Sequence, residues 1–263
     1  MNIKRDGAQI FYDVRGKGSP VVLLHPFPVN HHFWDAVVPF IEEQHQLILP
    51  DLRAHGQSQP GDGAATMEKH ALDVKAICDD VGIGRAVFVG VSIGGYVLFE
   101  FWRQFRDRVA ALVLSNTRAG SDSPEAREGR EQSIQDIRQR GPTPFIEGMT
   151  AKLIGETTRR TRLDRVESAR TMMSQMTVMG LTSALQGLAS RPDSTPTLNT
   201  ITVPTLLIAG DEDTLTPVAE AQFIQQNIAR SRLQVIPHAG HYAALEQPED
   251  FARVLGKFLD ESR

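Results

Sequence analysis

Cysteine is nearly absent from this chain of 263 residues, in which Cys78 stands alone. A single thiol excludes an internal disulfide, so packing must hold the fold, and 263 residues bury enough core for that. Positive charge is not in excess either. The formal net charge is −4, spread along the chain, and no basic stripe interleaved with aromatics appears, which argues against nucleic acid as a partner. Long hydrophobic runs are missing: the longest apolar stretch is interrupted by Gly90, Ser92, Gly94, Gly95 and Glu100, too often for a membrane span. Met1 to Ile10 lack the apolar segment of a secretory leader, so the expectation is a cytoplasmic protein with no membrane partner. There is no internal repeat and no low-complexity linker. His31, His32 and His70 lack metal-ligand spacing, so no metal is expected, and all three are expected at the surface.

What is present is an alternation of short β-rich runs and helical patterns. The runs are Gln9 to Val14, Val21 to Leu24, Leu47 to Leu49, Ala86 to Val91, Ala111 to Leu114, Thr205 to Ala209 and Leu233 to Ile236. Met67, Ala71, Val74, Cys78 and Val81 form one helical stripe, with Thr66 placed to cap the helix and Gly82 to end it. Cys78 therefore belongs to a core face and is not a reactive thiol. Phe251, Val254, Leu255, Phe258 and Leu259 recur at i, i+3, i+4, i+7 and i+8 near the C-terminus. Such alternation implies an α/β fold, a mostly parallel sheet covered on both faces. It breaks between about Gly120 and Pro196, a stretch with no convincing strand. The domain organisation expected is a core of residues 1–119 and 197–263, with 120–196 inserted as a helical cap over the carboxyl ends of the strands, where ligands of open α/β sheets bind.

One pattern carries chemistry. Gly90-Val91-Ser92-Ile93-Gly94 follows the run Ala86 to Val91 and precedes a second apolar segment, reading as strand, tight turn and helix. A serine at such a turn is held in a strained geometry that presents its hydroxyl outward, and flanking glycines remove colliding side chains. Ser92 is the candidate nucleophile. A serine hydroxyl needs a base, and the base an orienting acid. Two later strands are followed by Gly210-Asp211-Glu212-Asp213 and by Pro237-His238-Ala239-Gly240-His241, so an Asp and a His of these loops can meet Ser92 at one sheet edge. The chain order Ser, Asp, His is that of one hydrolase architecture.

These motifs, with His25-Pro26-Phe27-Pro28 followed by Trp34, with Asp51-Leu52-Arg53-Ala54-His55-Gly56-Gln57-Ser58, and with Glu246-Gln247-Pro248, make the chain similar to the α/β-hydrolase superfamily over essentially its whole length. It looks most like small carboxylesterases and enol-lactonase-like members with a helical cap. The resemblance implies a central, mostly parallel sheet. Through the pattern Gly-x-x-Asp-x-x-x-Pro it assigns the acid to Asp213, leaving Asp211 a solvated carboxylate. Through Gly-His it assigns the base to His241, leaving His238 exposed. It implies an oxyanion hole made by the backbone N–H groups of Ile93 and Phe27. The sequence departs from the family pattern at Pro26 and Ala54, which stand where glycine is common. Pro26 removes one N–H but leaves that of Phe27, and a proline on either side of Phe27 predicts a rigid loop, with the Phe27–Pro28 bond expected to be cis. His25 and Asp51 are expected to orient loops.

The function these residues imply is hydrolysis of short-chain carboxylic esters without a cofactor, the substrate being a small-molecule ester. Trp34, Met149, Met172, Met173 and Met176 are the expected substrate contacts, although methionines at helical spacing serve equally as packing. Arg159, Arg160, Arg162, Arg165 and Arg170 alternate with acidic residues in the cap, a solvated face whose positive charge also suits an anionic substrate group. Alternatives within the fold are an enol-lactonase, a cofactor-free perhydrolase and a carbon–carbon bond hydrolase; outside catalysis, it is a ligand receptor. The sequence sets neither the natural substrate nor the oligomeric state.

Overall fold

The structure is a computed structural model, and it describes residues 1–262. In chain order the elements are β1 (Asn2–Arg5), β2 (Ala8–Arg15), β3 (Ser19–Leu24), β4 (His45–Pro50), α1 (Met67–Asp80), β5 (Ala86–Val91), α2 (Ile93–Phe105) and β6 (Val109–Ser115). Five helices then follow without a strand: α3 (Pro124–Arg140), α4 (Thr143–Leu153), α5 (Glu156–Thr161), α6 (Leu163–Ser174) and α7 (Val178–Ala189). After α8 (Thr195–Leu198) the alternation resumes with β7 (Thr205–Gly210), α9 (Val218–Asn227), β8 (Ser231–Ile236), α10 (Ala243–Glu246) and α11 (Pro248–Glu261).

Among the described residues the strands form one sheet of eight, in the order β1-β2-β4-β3-β5-β6-β7-β8. The pairs β1–β2 and β2–β4 are antiparallel and all others parallel, so this is the α/β-hydrolase architecture expected. Strands β5 and β7 are buried at every position, which is why their sequences are continuous apolar runs. Alternate residues serve opposite faces: Val22, Leu24 and Phe88 pack under α1 and α2, while Leu23, Val87 and Val89 pack with Phe251, Leu255 and Leu259 of α11. Thr66 caps α1 by accepting from the Lys69 N–H at 3.3 Å. Burial pushes the Cys78 thiol up to about 12, leaving it inert. Strand β1 was not legible in the sequence, because Asn2, Lys4 and Arg5 give it no apolar period; the Asp6-Gly7 turn that joins it to β2 was the available signal.

The α3–α7 segment is fastened to the sheet layer at several points. The Ala65 N–H donates to the Ser183 carbonyl at 3.1 Å, the Ser183 hydroxyl to Gly63 O at 2.8 Å, and Asn30 Nδ2 to Gln175 Oε1 at 2.7 Å. Helix α7 comes closest at Gly187, where an added Cβ would lie 1.8 Å from the backbone oxygen of Ala65. Backbone cannot rotate away as a side chain can. Gly187→Ala is therefore expected to lower stability by about 1–3 kcal/mol, read as a drop in the urea midpoint without a change in slope; an unchanged midpoint would show that α7 is free to move off the core.

Candidate active site

In a parallel sheet the strands deliver their following loops to the same edge. Here the loops after β3, β5, β6, β7 and β8 supply Phe27, Ser92, Asn116, Asp213 and His241 respectively. Ser92 lies between β5 and α2 at φ 54° and ψ −112°, a region an L-residue adopts only under constraint. The constraint is visible. The Ser92 N–H donates to Ser115 O at 3.0 Å, its carbonyl accepts from Gly95 N and from Thr117 Oγ1 at 2.9 Å each, and a Cβ on Gly94 would lie 2.6 Å from Leu24 O. The turn can be this tight only because Gly94 lets α2 start against β3.

His241 Nδ1 lies 2.8 Å from Asp213 Oδ2, and both side chains are buried. Asp213 accepts further bonds from Asn116 Nδ2 at 2.9 Å, Thr216 Oγ1 at 2.6 Å, and the backbone N–H groups of Leu215 and Thr216 at 2.8 and 3.0 Å. Burial alone would raise its pKa, but the His241 charge and the hydrogen bonds from His241, Thr216 and Asn116 outweigh it and hold the carboxyl well below the usual range. An ionised Asp213 accepts from Nδ1–H and leaves Nε2 as the basic nitrogen. Asp211, by contrast, is exposed and accepts from Ala239 N at 3.3 Å. His238 is also exposed.

The loop carrying His241 is tied down by Glu246, fully buried in α10. Its Oε1 accepts from Gly240 N at 3.0 Å and Tyr242 N at 3.1 Å, and its Oε2 from Gly155 N at 2.9 Å, across to the α4–α5 junction. The His241 N–H itself donates to Leu153 O at 3.0 Å. On the other side, the Tyr242 hydroxyl donates to the Phe27 carbonyl at 2.9 Å, and the Phe27–Pro28 peptide is cis. Ile93 is the first residue of α2, so its N–H has no carbonyl one turn earlier in the helix to bond. His25 accepts the Leu52 N–H at Nε2, 2.9 Å, and donates from Nδ1 to Pro26 O, 2.8 Å; the imidazole is neutral, burial pushing its pKa down to about 3. Asp51 joins two loops, accepting from the His31 N–H at 2.8 Å and the Gln57 N–H at 2.8 Å.

Phe27, Ser92 and His241 line one cavity of about 260 Å³, with Met149, Lys152 and Leu188 contributed by the inserted helices. Trp34, expected to touch substrate, does not reach it: the indole is fully buried with ring contacts to Phe33 and Phe251. Met172, Met173 and Met176 are likewise packing residues, 5 %, 0 % and 4 % exposed and absent from the cavity wall. They were misread because one methionine-rich stretch is in fact two helices, broken where Thr177 caps α7 by accepting from the Gly180 N–H at 2.9 Å. Only Met149 of the expected contacts lines the cavity. His31 and His70 are also corrected: both are buried, His31 Nδ1 lying 2.7 Å from Asp51. Arg160 pairs with Glu156, Arg162 and Arg165 with Asp164, and Arg170 with Glu167, and none of these or Arg159 lines the cavity. The basic groups that do, Arg118, Arg130, Lys152 and Arg191, drew no notice in the sequence. Nor did Asn116, Thr216 or the bonds made by Glu246. The one signal for Asn116 and Arg118 was their position just past a buried strand. Among the described residues no grouping of three or more His, Cys, Asp or Glu suits a metal ion, and no helix is long and apolar enough to cross a membrane.

Residues 19–248 match the family model described as alpha/beta hydrolase fold. Among solved structures, a thermophilic esterase from Thermogutta terrifontis, in a malate-bound form, is 36% identical with a TM-score of 0.96, covering 100% of this chain and 99% of that one. Among curated proteins, 3-oxoadipate enol-lactonase 2 of Acinetobacter baylyi is 29% identical over 231 residues, 88% of this chain and 85% of its own. A pimeloyl-[acyl-carrier protein] methyl ester esterase of Nitrosomonas europaea is 27% identical over 250 residues, 93% of this chain and 97% of its own.

His25, His55 and His70 form a buried group behind the Phe27 loop, with ring centroids 5.1 Å apart for His25–His55 and 6.5 Å for His55–His70. Burial lowers all three pKa values from 6.5, so the folded protein keeps them neutral while the unfolded chain protonates them as pH falls through that value. Stability is then complete above pH 6.5 and is lost below it, each histidine contributing a slope of about 1.4 kcal/mol per pH unit until its folded pKa is reached. Asp213 acts in the same direction only below its unfolded value of 3.8. Urea midpoints are expected to be flat above neutrality and to fall steeply on acidification, and His70→Leu is expected to make that fall shallower. A flat midpoint down to about pH 5 would show that the three imidazoles are protonated in the fold.

Proposed function

The chain belongs to the alpha/beta hydrolase fold family, and from that premise we propose that it hydrolyses carboxylic esters through an acyl-enzyme on Ser92. The observation that carries this reading is that one cavity wall holds both a strained strand-to-helix serine and a histidine whose Nδ1 lies against a buried carboxylate. His241 Nε2 takes the Ser92 proton as Oγ adds to the ester carbonyl carbon, and the N–H groups of Phe27 and Ile93 hold the resulting oxyanion. The C–O bond to the alcohol breaks, the alcohol leaves with the proton from His241, and water activated by the same imidazole cleaves the acyl-enzyme. Asp213 keeps the imidazole in one tautomer throughout and stabilises its charged form.

Two esterases among the relatives support an ester substrate. The enol-lactonase of Acinetobacter baylyi favours a second reading, a lactone as substrate. A lactone is a cyclic ester, so the same steps apply and the leaving hydroxyl stays attached to the acyl group. A cavity of about 260 Å³ suits a short acyl chain in either case.

Ser92→Ala and His241→Ala are each expected to lower turnover of p-nitrophenyl acetate and butyrate by roughly three orders of magnitude or more. Asp213→Asn is expected to lower kcat severely while Asp211→Asn retains it. Retained turnover in either Ser92→Ala or His241→Ala overturns the mechanism, and the reverse ranking of the aspartates moves the acid to Asp211. Met149→Ala, which enlarges the cavity, is expected to shift the chain-length optimum from acetyl and butyryl toward longer acyl groups; an unchanged profile removes Met149 from the acyl wall.

A further inference from the structure

The cavity that holds Ser92 is far more basic than the molecule around it. The whole chain carries a formal −4, yet the cavity wall has four cations, Arg118, Arg130, Lys152 and Arg191, against one carboxylate, Asp122, leaving three positive charges in excess. They are not equivalent. Asp122 is buried and accepts from Arg130 Nε at 2.5 Å and from Arg191 Nη1; the Arg191 guanidinium also lies 4.5 Å above the Tyr96 ring and donates to Gly120 O at 2.9 Å. Arg130 and Arg191 are thereby committed to the fold.

Arg118 and Lys152 are not. Neither pairs with a carboxylate among the described residues. Arg118 donates from Nη2 to the Leu215 carbonyl, which anchors the guanidinium beside the Asp213–Thr216 loop, while its Nε is buried with no acceptor. The guanidinium therefore keeps donor capacity that the protein itself does not use. Arg118 lies two residues beyond Asn116, which holds Asp213, and one beyond Thr117, which holds the Ser92 carbonyl, so its position is fixed by the same contacts that fix the reacting groups. Lys152 enters from α4, next to Leu153, whose carbonyl accepts from the His241 N–H. The two cations thus reach one cavity from the sheet side and from the inserted helices.

We propose that Arg118 and Lys152 form an anion subsite that selects esters or lactones bearing a free carboxylate, a specificity that rests on the ester-hydrolase reading of Ser92. Planar, fork-like guanidinium donors match a carboxylate, and the rest of the wall, including Phe27, Met149 and Leu188, suits the short hydrocarbon that separates carboxylate from ester. A recess concentrates the field of its two cations more than a flat surface does, and the overall negative charge of the protein makes this basic recess the local exception.

The experiment compares kcat/KM for monomethyl glutarate, with the carboxylate on the acyl side, and acetoxyacetate, with it on the alcohol side, against uncharged methyl butyrate. At least one charged ester is expected to exceed the neutral one by about tenfold or more, and that preference is expected to shrink with added salt. Arg118→Gln and Lys152→Gln are each expected to reduce the preference about tenfold, mainly through KM, and Lys152→Glu to invert it. Lys152 is exposed and its side chain makes no hydrogen bond or ion pair among the described residues, so its variants test the subsite even if Arg118→Gln misfolds. Binding of monomethyl glutarate to Ser92→Ala, with and without Lys152→Gln, is read by calorimetry and does not depend on turnover. Ser92-dependent hydrolysis without a charged-ester preference, or with one that neither variant alters, overturns the subsite and leaves the hydrolase reading standing. Lys152-sensitive binding without Ser92-dependent turnover of any ester supports the subsite and overturns the hydrolase reading.

Discussion

A carboxylate buried beside an imidazole is stable only when nearly all its lone pairs are occupied, and Asp213 is such a group. Its partners come from three loops: Asn116 after β6, Leu215 and Thr216 after β7, and His241 after β8. Satisfying one carboxylate therefore fixes the ends of three strands relative to one another. The requirement also explains Asn116, held at φ 46°, a conformation whose cost is offset by the bonds its side chain makes to Asp213 and, at 3.2 Å, to the Gly240 carbonyl. Once Asp213 is placed, His241 is placed, while the Ser92 carbonyl is held by Thr117, next to Asn116 in the loop after β6.

A second buried carboxylate, Glu246, performs the corresponding task for the backbone. By accepting from Gly155, Gly240 and Tyr242 it joins the inserted helices to the His241 loop, and burial pushes its carboxyl up despite those bonds. Together with the close approach of Gly187 to Ala65, this makes the inserted helices a fixed wall. A fixed wall sets substrate size through cavity volume, whereas a swinging lid would set it through the work of opening. The loops around the cavity are pre-organised: that of Phe27 is held by Tyr242 and His25, the His241 imidazole by Asp213, and the start of α5 by Glu246 and Glu212, which accepts from the Thr157 N–H at 2.8 Å.

Charge is distributed with the same economy. Most ion pairs lie on the surface and contribute little. Within the cavity, Asp122 neutralises one of the two arginines that grip it, and Arg118 and Lys152 have no carboxylate partner among the described residues, on the wall that Ser92 and His241 also line.

The sequence alone determined the elements whose signal is local. Continuous apolar runs marked β5 and β7, the Thr66 cap and Gly82 bounded α1, and the period of Phe251, Leu255 and Leu259 marked α11, because backbone geometry and solvent exclusion write those patterns into neighbouring residues. It also offered Ser92 as a candidate, since a glycine-flanked serine is a short motif, and through the family resemblance Asp213 and His241, which the structure brings within 2.8 Å of each other. Tertiary structure decided what depends on residues far apart. Trp34 and three methionines share the composition of a pocket wall but are turned into the core. The charges that line the Ser92 cavity lie after β6, on α3, on α4 and after α7, not on the arginine-rich helices that drew attention. Burial of His31 and His70 was invisible because a histidine carries no mark of its surroundings. Which side of a helix meets a cavity is set by packing against distant neighbours, and a linear pattern holds the period of that helix but not the identity of what it will face.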